Sequence, residues 1–144
     1  MSTAISDCAE KLRQTIERAK EANADIRWLS RFPMNCCNFC SNLLVLDLSE
    51  AGVGKLQRVI GTIDDDDDSR HVWVEAEGHT VDICADQHGQ SSVIATQESD
   101  WHNSLEEIKP FVPQTDLPEG ISVAEIARLR ELYEQDLSEL APYR

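Results

Sequence analysis

Apolar residues recur with a helical period in the first third of the chain and near its C-terminus, and with a strand period in the middle. Ile5, Cys8, Ala9, Leu12, Ile16, Ala19 and Ile26 are spaced mostly by three and four, which predicts a helix from Ser2 to about Leu29 with one stripe on the core. Glu17, Lys20 and Glu21 occupy its other face. Asn23-Ala24-Asp25 ends or bends this helix, and Pro33 closes the region. A second helix is predicted from about Cys37 to Glu50, stopped by Gly52 and Gly54. Phe39, Leu43, Leu44, Val45, Leu46 and Leu48 make it apolar on most sides, as a central buried helix requires.

The period then changes to two. Val72 and Val74 alternate with His71, Trp73 and Glu75, which reads as a strand, and Glu77-Gly78 reads as a tight hairpin turn. Thr80 to Cys84 is the returning strand and Ser92 to Thr96 a further one. Asp100 to Pro118, with prolines at 110, 113 and 118, reads as loop-rich. Ser122 to Leu140 reads as a last helix, opened by the capping-box spacing of Ser122 and Glu125. Helices followed by a short antiparallel meander are an α+β arrangement. The 144 residues suit one core and are too few for two, so residues 1–144 are read as a single domain.

Composition narrows the function. With 13 Lys+Arg against 27 Asp+Glu the net charge is −14, and no basic cluster is available to grip phosphates, so nucleic acid is not an expected partner. No apolar run approaches the roughly 20 residues of a membrane-spanning helix. The start of the chain lacks the pattern of a signal peptide, which points to the cytoplasm or to delivery without a cleaved signal. The acidic run from Asp64 to Asp68 lacks the alternation and glycine of a calcium loop and reads as solvated loop. The five cysteines are Cys8, Cys36, Cys37, Cys40 and Cys84; an odd number with two adjacent fits a reducing compartment better than a stapled scaffold. Cys37-x-x-Cys40 has redox or half-zinc spacing, but no second close pair follows, so neither a metal nor another cofactor is expected.

Cys37 falls at the start of the second helix, where unpaired N–H groups and the helix dipole favour a thiolate. A thiol nucleophile also needs an imidazole to take its proton and a group to orient that imidazole. His71 lies on the first strand of the hairpin and Asp82 on the second, within cross-strand reach. Each residue alone is more ordinary: a buried small cysteine, a strand histidine, an edge aspartate. Their order and placement together make a candidate triad.

Three motifs carry a family resemblance. Asn35-Cys36-Cys37-Asn38-Phe39-Cys40-Ser41 before the apolar helix, His71-Val72-Trp73-Val74-Glu75, and Val81-Asp82-Ile83 together resemble the transglutaminase-like branch of the papain-like cysteine proteases, over about residues 33–96. Phe32-Pro33-x-x-Cys36-Cys37, the Asp82-Ile83-x-Ala85-Asp86-Gln87 stretch and Trp101-His102 also resemble small bacterial proteins of this type. The resemblance implies a cysteine-bearing central helix packed on a short antiparallel sheet, with flanking helices added. It implies Cys37, rather than Cys36, as nucleophile, because Ser41, Leu43 and Gly52 then fall in the family's register. His71 becomes base and then acid, and Asp82 the orienter. Asn35 stands where the family has glycine. Asn35 and Gln87 are candidate oxyanion donors beside the Cys37 N–H, and Trp73 is a candidate pocket wall. His79, His88 and His102 carry no assigned role, His102 being a minor rival base.

The expected activity is cleavage of an amide or isopeptide bond in a protein or peptide through a Cys37 acyl-enzyme. Glutamine deamidation or transglutamination, as in an effector toxin, shares the same chemistry up to the acyl-enzyme. The rival from another class is an inactive binding module that pairs, with itself or a partner, through the last helix. The residues do not name a substrate or choose among these acceptors.

Overall fold

The stripe Ile5, Ala9, Leu12, Ile16 and Ala19 is fully buried, so the first helix enters the core along the face its spacing marks out. The computed structural model describes residues 2–21, 32, 37–63, 70–110, 127, 128, 130 and 131, with the backbone alone for 2, 3 and 37–39. Helix α1 spans Ser2–Glu21 and α2 spans Cys37–Glu50. Five strands follow: β1 (Leu56–Thr62), β2 (Arg70–Ala76), β3 (His79–Asp82), β4 (Ile94–Thr96) and β5 (Glu106–Pro110), with a 3-10 turn at Ala85–His88 and a one-turn helix α3 at Asp100–Asn103. The sheet order is β4-β3-β2-β1-β5, antiparallel throughout. This is a mixed helix and antiparallel-sheet architecture, in agreement with the α+β expectation. No helix among the described residues is long and apolar enough to cross a membrane.

Helix α2 stops where Gly52 takes φ +86°, with Gly52 N–H donating to Ser49 O and Val53 N–H to Leu48 O, both at 3.0 Å. That pair of bonds is a Schellman cap, and the positive φ is the reason for glycine there. The hairpin turn carries positive φ at both Glu77 (51°) and Gly78 (81°), the primed turn whose twist matches its strands.

Several expectations shift. The returning strand ends at Asp82 rather than Cys84, and the next begins at Ile94 rather than Ser92. The stretch from Asp100 read as loop contains α3 and β5. Its short polar strand pairs with β1, and three prolines and no periodicity masked it. The last part of α1's expected range, at 22–29, lies outside the described residues, as does the acidic run. Of the predicted C-terminal helix, Ala127, Arg128, Arg130 and Glu131 are described and helical.

The sheet separates two apolar clusters. Val74, Ala76 and Val81 face α1 and α2, together with Leu43, Leu44 and Leu48. The alternate positions face the other way, where Trp73 packs with Val59 and Leu105. Gly61 sits beneath that ring: a Cβ there would lie 3.2 Å from Trp73 Cη2 and 3.1 Å from Leu105 Cβ.

Two cations fasten the layers. Arg13 on α1 makes a bidentate pair with Asp86 (2.8 Å to each oxygen), donates to Ile83 O at 2.8 Å and lies over the Phe32 ring. Arg130 pairs with Asp47 at 2.7 Å and with Glu50, tying the C-terminal helical segment to α2. Burial pushes the Asp47 carboxyl up to about 7, Arg130 offsetting only part of that and Glu50 adding to it.

Two predictions follow from these pairs. Arg13→Met leaves Asp86 and Ile83 O without their donor and lowers stability in urea unfolding by about 3 kcal/mol. Folded Asp47 holds a proton that the unfolded chain, with an aspartate near pH 4, has released. Stability therefore falls as pH rises from about 4 to about 7, and Asp47→Asn removes that slope from a series of urea midpoints.

Candidate active site

The hairpin places His71 and Asp82 at its open end. The β2–β3 pairing ends at Val74 opposite Val81; one step further on, Asp82 stands on the same face as Trp73 and diagonal to His71. His71 Nε2 lies 2.6 Å from Asp82 Oδ2, so the two predicted partners meet. Both are sealed from water, with exposures of 0 % and 3 %.

A third group completes the arrangement. His102, on α3 and 1 % exposed, places its Nε2 2.7 Å from the same Asp82 Oδ2. Oδ1 accepts the Cys84 N–H at 2.9 Å. Burial alone would push the Asp82 carboxyl up. Hydrogen bonds from His102 and His71, the charge on His71 and the Cys84 N–H outweigh burial and hold it well below the usual carboxylate range. An ionised carboxylate only accepts, so both imidazoles carry their hydrogen on Nε2. His102 Nδ1 is 2.6 Å from Ser99 Oγ, whose hydroxyl donates to it in the neutral ring.

Aromatic rings close around the pair. Trp73 stacks on His71 with centroids 6.1 Å apart and lies 4.8 Å from the His102 ring. His88 meets His71 edge-on at 5.0 Å and Trp101 does so at 5.4 Å, while His88 and Trp101 stack on each other. Both are half-buried, so they stand between His71 and solvent. Burial first, and His71 beside it, lower the His88 pKa, with Asp82 opposing them.

Helix α2 packs against β2 and β1. Gly54, just past α2, donates its N–H to Glu77 at the hairpin tip. From there the 14 residues of α2 reach back about 21 Å. The six residues from Glu77 to His71 cover about 20 Å. The two spans measured from the hairpin tip thus match in length. A small cavity lies between α2 and the hairpin, lined by Cys40, Ser41 and Leu44 of α2, Val72 and Trp73 of β2, and Val81 to Cys84. Cys37 is the first residue of α2, and its side chain lies outside the described residues. Asn35 lies outside them too. Gln87 is half-buried on the 3-10 turn, two positions from Ala85 at the turn's start.

The donor set His71, Asp82 and His102 is also one that could hold a metal ion. Ligands on a tetrahedral zinc at about 2.0–2.1 Å sit about 3.3 Å apart. The two nitrogens here approach the oxygen to 2.6 and 2.7 Å, which is hydrogen-bond spacing. The geometry fits a proton-sharing network better than a coordination shell.

No family model, no curated protein and no solved structure matches this chain.

Sequence reasoning missed three contributors. His102 was expected only as a minor rival base, not as a partner of Asp82, because it lies on one turn of helix 20 residues beyond Asp82. Its only local signal is Ser99, three positions earlier, at N-cap spacing. Arg13 was hidden in the polar face of α1, to which no function had been attached; it grips Ile83 and Asp86 on either side of Cys84. The Cys84 backbone N–H leaves no trace in a sequence at all.

Asp82→Asn removes the charge that both imidazoles share. It lowers stability at pH 7 by about 3 kcal/mol in urea titration. A carboxyl held below its unfolded value stabilises above about pH 4 and loses that contribution as pH falls further. The steep acid limb of the wild-type stability curve below pH 4 therefore flattens in Asp82→Asn.

Proposed function

We propose that the chain is a cysteine-dependent acyl-transfer enzyme with Cys37 as nucleophile, His71 as base and then acid, and Asp82 as orienter. The observation that carries this reading is the 2.6 Å hydrogen bond that commits His71 Nε2 to Asp82. With the hydrogen fixed on Nε2, Nδ1 is the basic nitrogen of the neutral ring, and it is the one suited to exchange a proton with a thiol. Position 37 precedes Cys40 and Ser41, which line the cavity with Asp82 and Trp73, by about one helical turn. As the first residue of α2, Cys37 also has a backbone N–H without an intrahelical acceptor, suited to an oxyanion.

In this mechanism His71 takes the thiol proton and the sulfur attacks an amide carbonyl. The C–N bond then breaks as His71 returns the proton to the leaving nitrogen, which departs as an amine and leaves a thioester. Water attacks that thioester with His71 again as base, releasing the acid and restoring the thiol. Water as acceptor makes a protease or amidohydrolase acting on a protein or peptide. A glutamine side chain as donor makes a deamidase, and an amine as acceptor a transglutaminase. The arrangement of helix and sheet suits a papain-like, transglutaminase-like core. His88 and Trp101 cover His71, so a substrate reaches it by displacing that pair.

The thiols of this protein make the test selective. Burial, with Asp47 nearby, pushes Cys8 up to about 12, and Cys40 and Cys84 are both buried at 1 % exposure. Rapid alkylation by iodoacetamide therefore reports on Cys36 and Cys37. The rate in wild type rises with an inflection well below pH 8, and this fast phase is lost in Cys37→Ala but kept in Cys36→Ala. A fast phase that is absent, or that survives Cys37→Ala, removes the nucleophile and leaves the binding module. Mass spectrometry of candidate proteins then separates the acceptors, by cleavage, a shift of about +1 Da from NH₂ to OH, or a cross-link.

A further inference from the structure

The Asp82 carboxylate is shared between two imidazoles, and only one of them can serve the proposed thiol chemistry. His102 is buried on α3, with Nε2 on Asp82 Oδ2 at 2.7 Å and Nδ1 on Ser99 Oγ at 2.6 Å, so both of its ring nitrogens are committed. Ser99 is itself held: its side chain caps α3 by accepting the His102 N–H, and its carbonyl accepts the Asn103 N–H at 3.0 Å. A ring tied at both ends cannot exchange protons with a substrate. It can fix the carboxylate.

We infer that His102, locked by Ser99, is a positioning residue that acts through Asp82 to set the tautomer and basicity of His71. The inference rests on the triad reading and adds a fourth member to it. Two effects follow from one N–H. Oδ2 is held between two donors while Oδ1 sits on the Cys84 N–H, so the carboxylate cannot rotate and its oxygen stays aimed at His71. Sharing the charge between two donors also weakens what His71 receives. Without His102 the carboxylate is a stronger partner for the His71 cation, and the imidazolium persists to higher pH. Groups in such outer positions commonly change function by 10–100-fold when lost.

The test uses the full chain and compares wild type with His102→Gln, His102→Phe, Ser99→Ala and His71→Ala. Gln places an amide N–H toward Asp82; Phe fills the space with no donor; Ser99→Ala unties the ring with little change of volume. One readout is the pH profile of the Cys37 alkylation rate. The other is the histidine tautomer, read from two-dimensional ¹⁵N NMR of histidine-labelled protein. Far-UV circular dichroism establishes that each variant is folded.

In wild type both His71 and His102 show the Nε2–H form. His102→Phe lowers the alkylation rate at neutral pH by about tenfold. It also moves the upper arm of the profile to higher pH and mixes the His71 tautomers. His102→Gln restores the wild-type profile, and Ser99→Ala shifts it in the direction of His102→Phe. A folded His102→Phe, or a Ser99→Ala, whose profile and tautomers match wild type overturns the positioning role. If His71→Ala loses the fast phase in that same experiment, the triad stands without it. A fast phase that persists in His71→Ala brings down the triad and the positioning role together.

Discussion

A single negative charge buried under an antiparallel sheet organises this molecule. Taking a carboxylate out of water costs several kcal/mol unless its lone pairs are filled, and Asp82 fills them with two imidazole N–H groups and one backbone N–H. Each donor comes from a different part of the chain: β2, the segment just after β3, and α3. The charge is tolerated in the interior only with these donors in place, which ties the site to the packing of all three segments. Arg13 reaches across from α1 to hold Ile83 O and Asp86, bracketing the Cys84 N–H, so even the first helix contributes to the same charge.

The sheet acts as a partition with an opening at one end. Its helix-facing side is an ordinary apolar core in which α2 is fixed on several sides. Its other side carries His71, Trp73 and Asp82 beneath α3 and the His88–Trp101 pair. Where β3 turns away after Asp82 the partition ends, and the first turns of α2 share a cavity with the carboxylate. Side chains that would do acid–base chemistry are thus carried on rigid elements rather than on loops, which is how positions are held to within a few tenths of an ångström. The rings over His71 shut the site, and a closed, low-dielectric pocket strengthens each hydrogen bond inside it.

How far this was legible depends on the range of each interaction. His71 and Asp82 were readable because a hairpin is local: eleven residues apart, joined by a two-residue turn, they have few other ways to meet. His102 was not, since nothing within α3 says which strand it will cover. Trp73 was readable as apolar, but its packing on Leu105 and on the His102 ring depends on the segment from α3 to β5 coming to lie against β1 and β2. Arg13 resembled any cation on the wet side of an amphipathic helix. It is instead 7 % exposed and pinned by the loop that follows β3.

The sequence by itself determined the elements whose stability is set within a dozen residues: the stripe of α1, the apolar α2 with its Gly52 stop, and the hairpin at Glu77-Gly78. Periodicity and turn chemistry act locally, so they can be read from neighbours along the chain. It also carried the order of thiol, imidazole and carboxylate. Only the tertiary structure decided that β5 would pair with β1, that the sheet would put the imidazole–carboxylate pair on the face opposite α1, beneath α3, and that a second imidazole would complete the carboxylate. Those outcomes depend on which surfaces remain to be buried once the local elements exist. That balance is settled between segments tens of residues apart, and no local pattern records it.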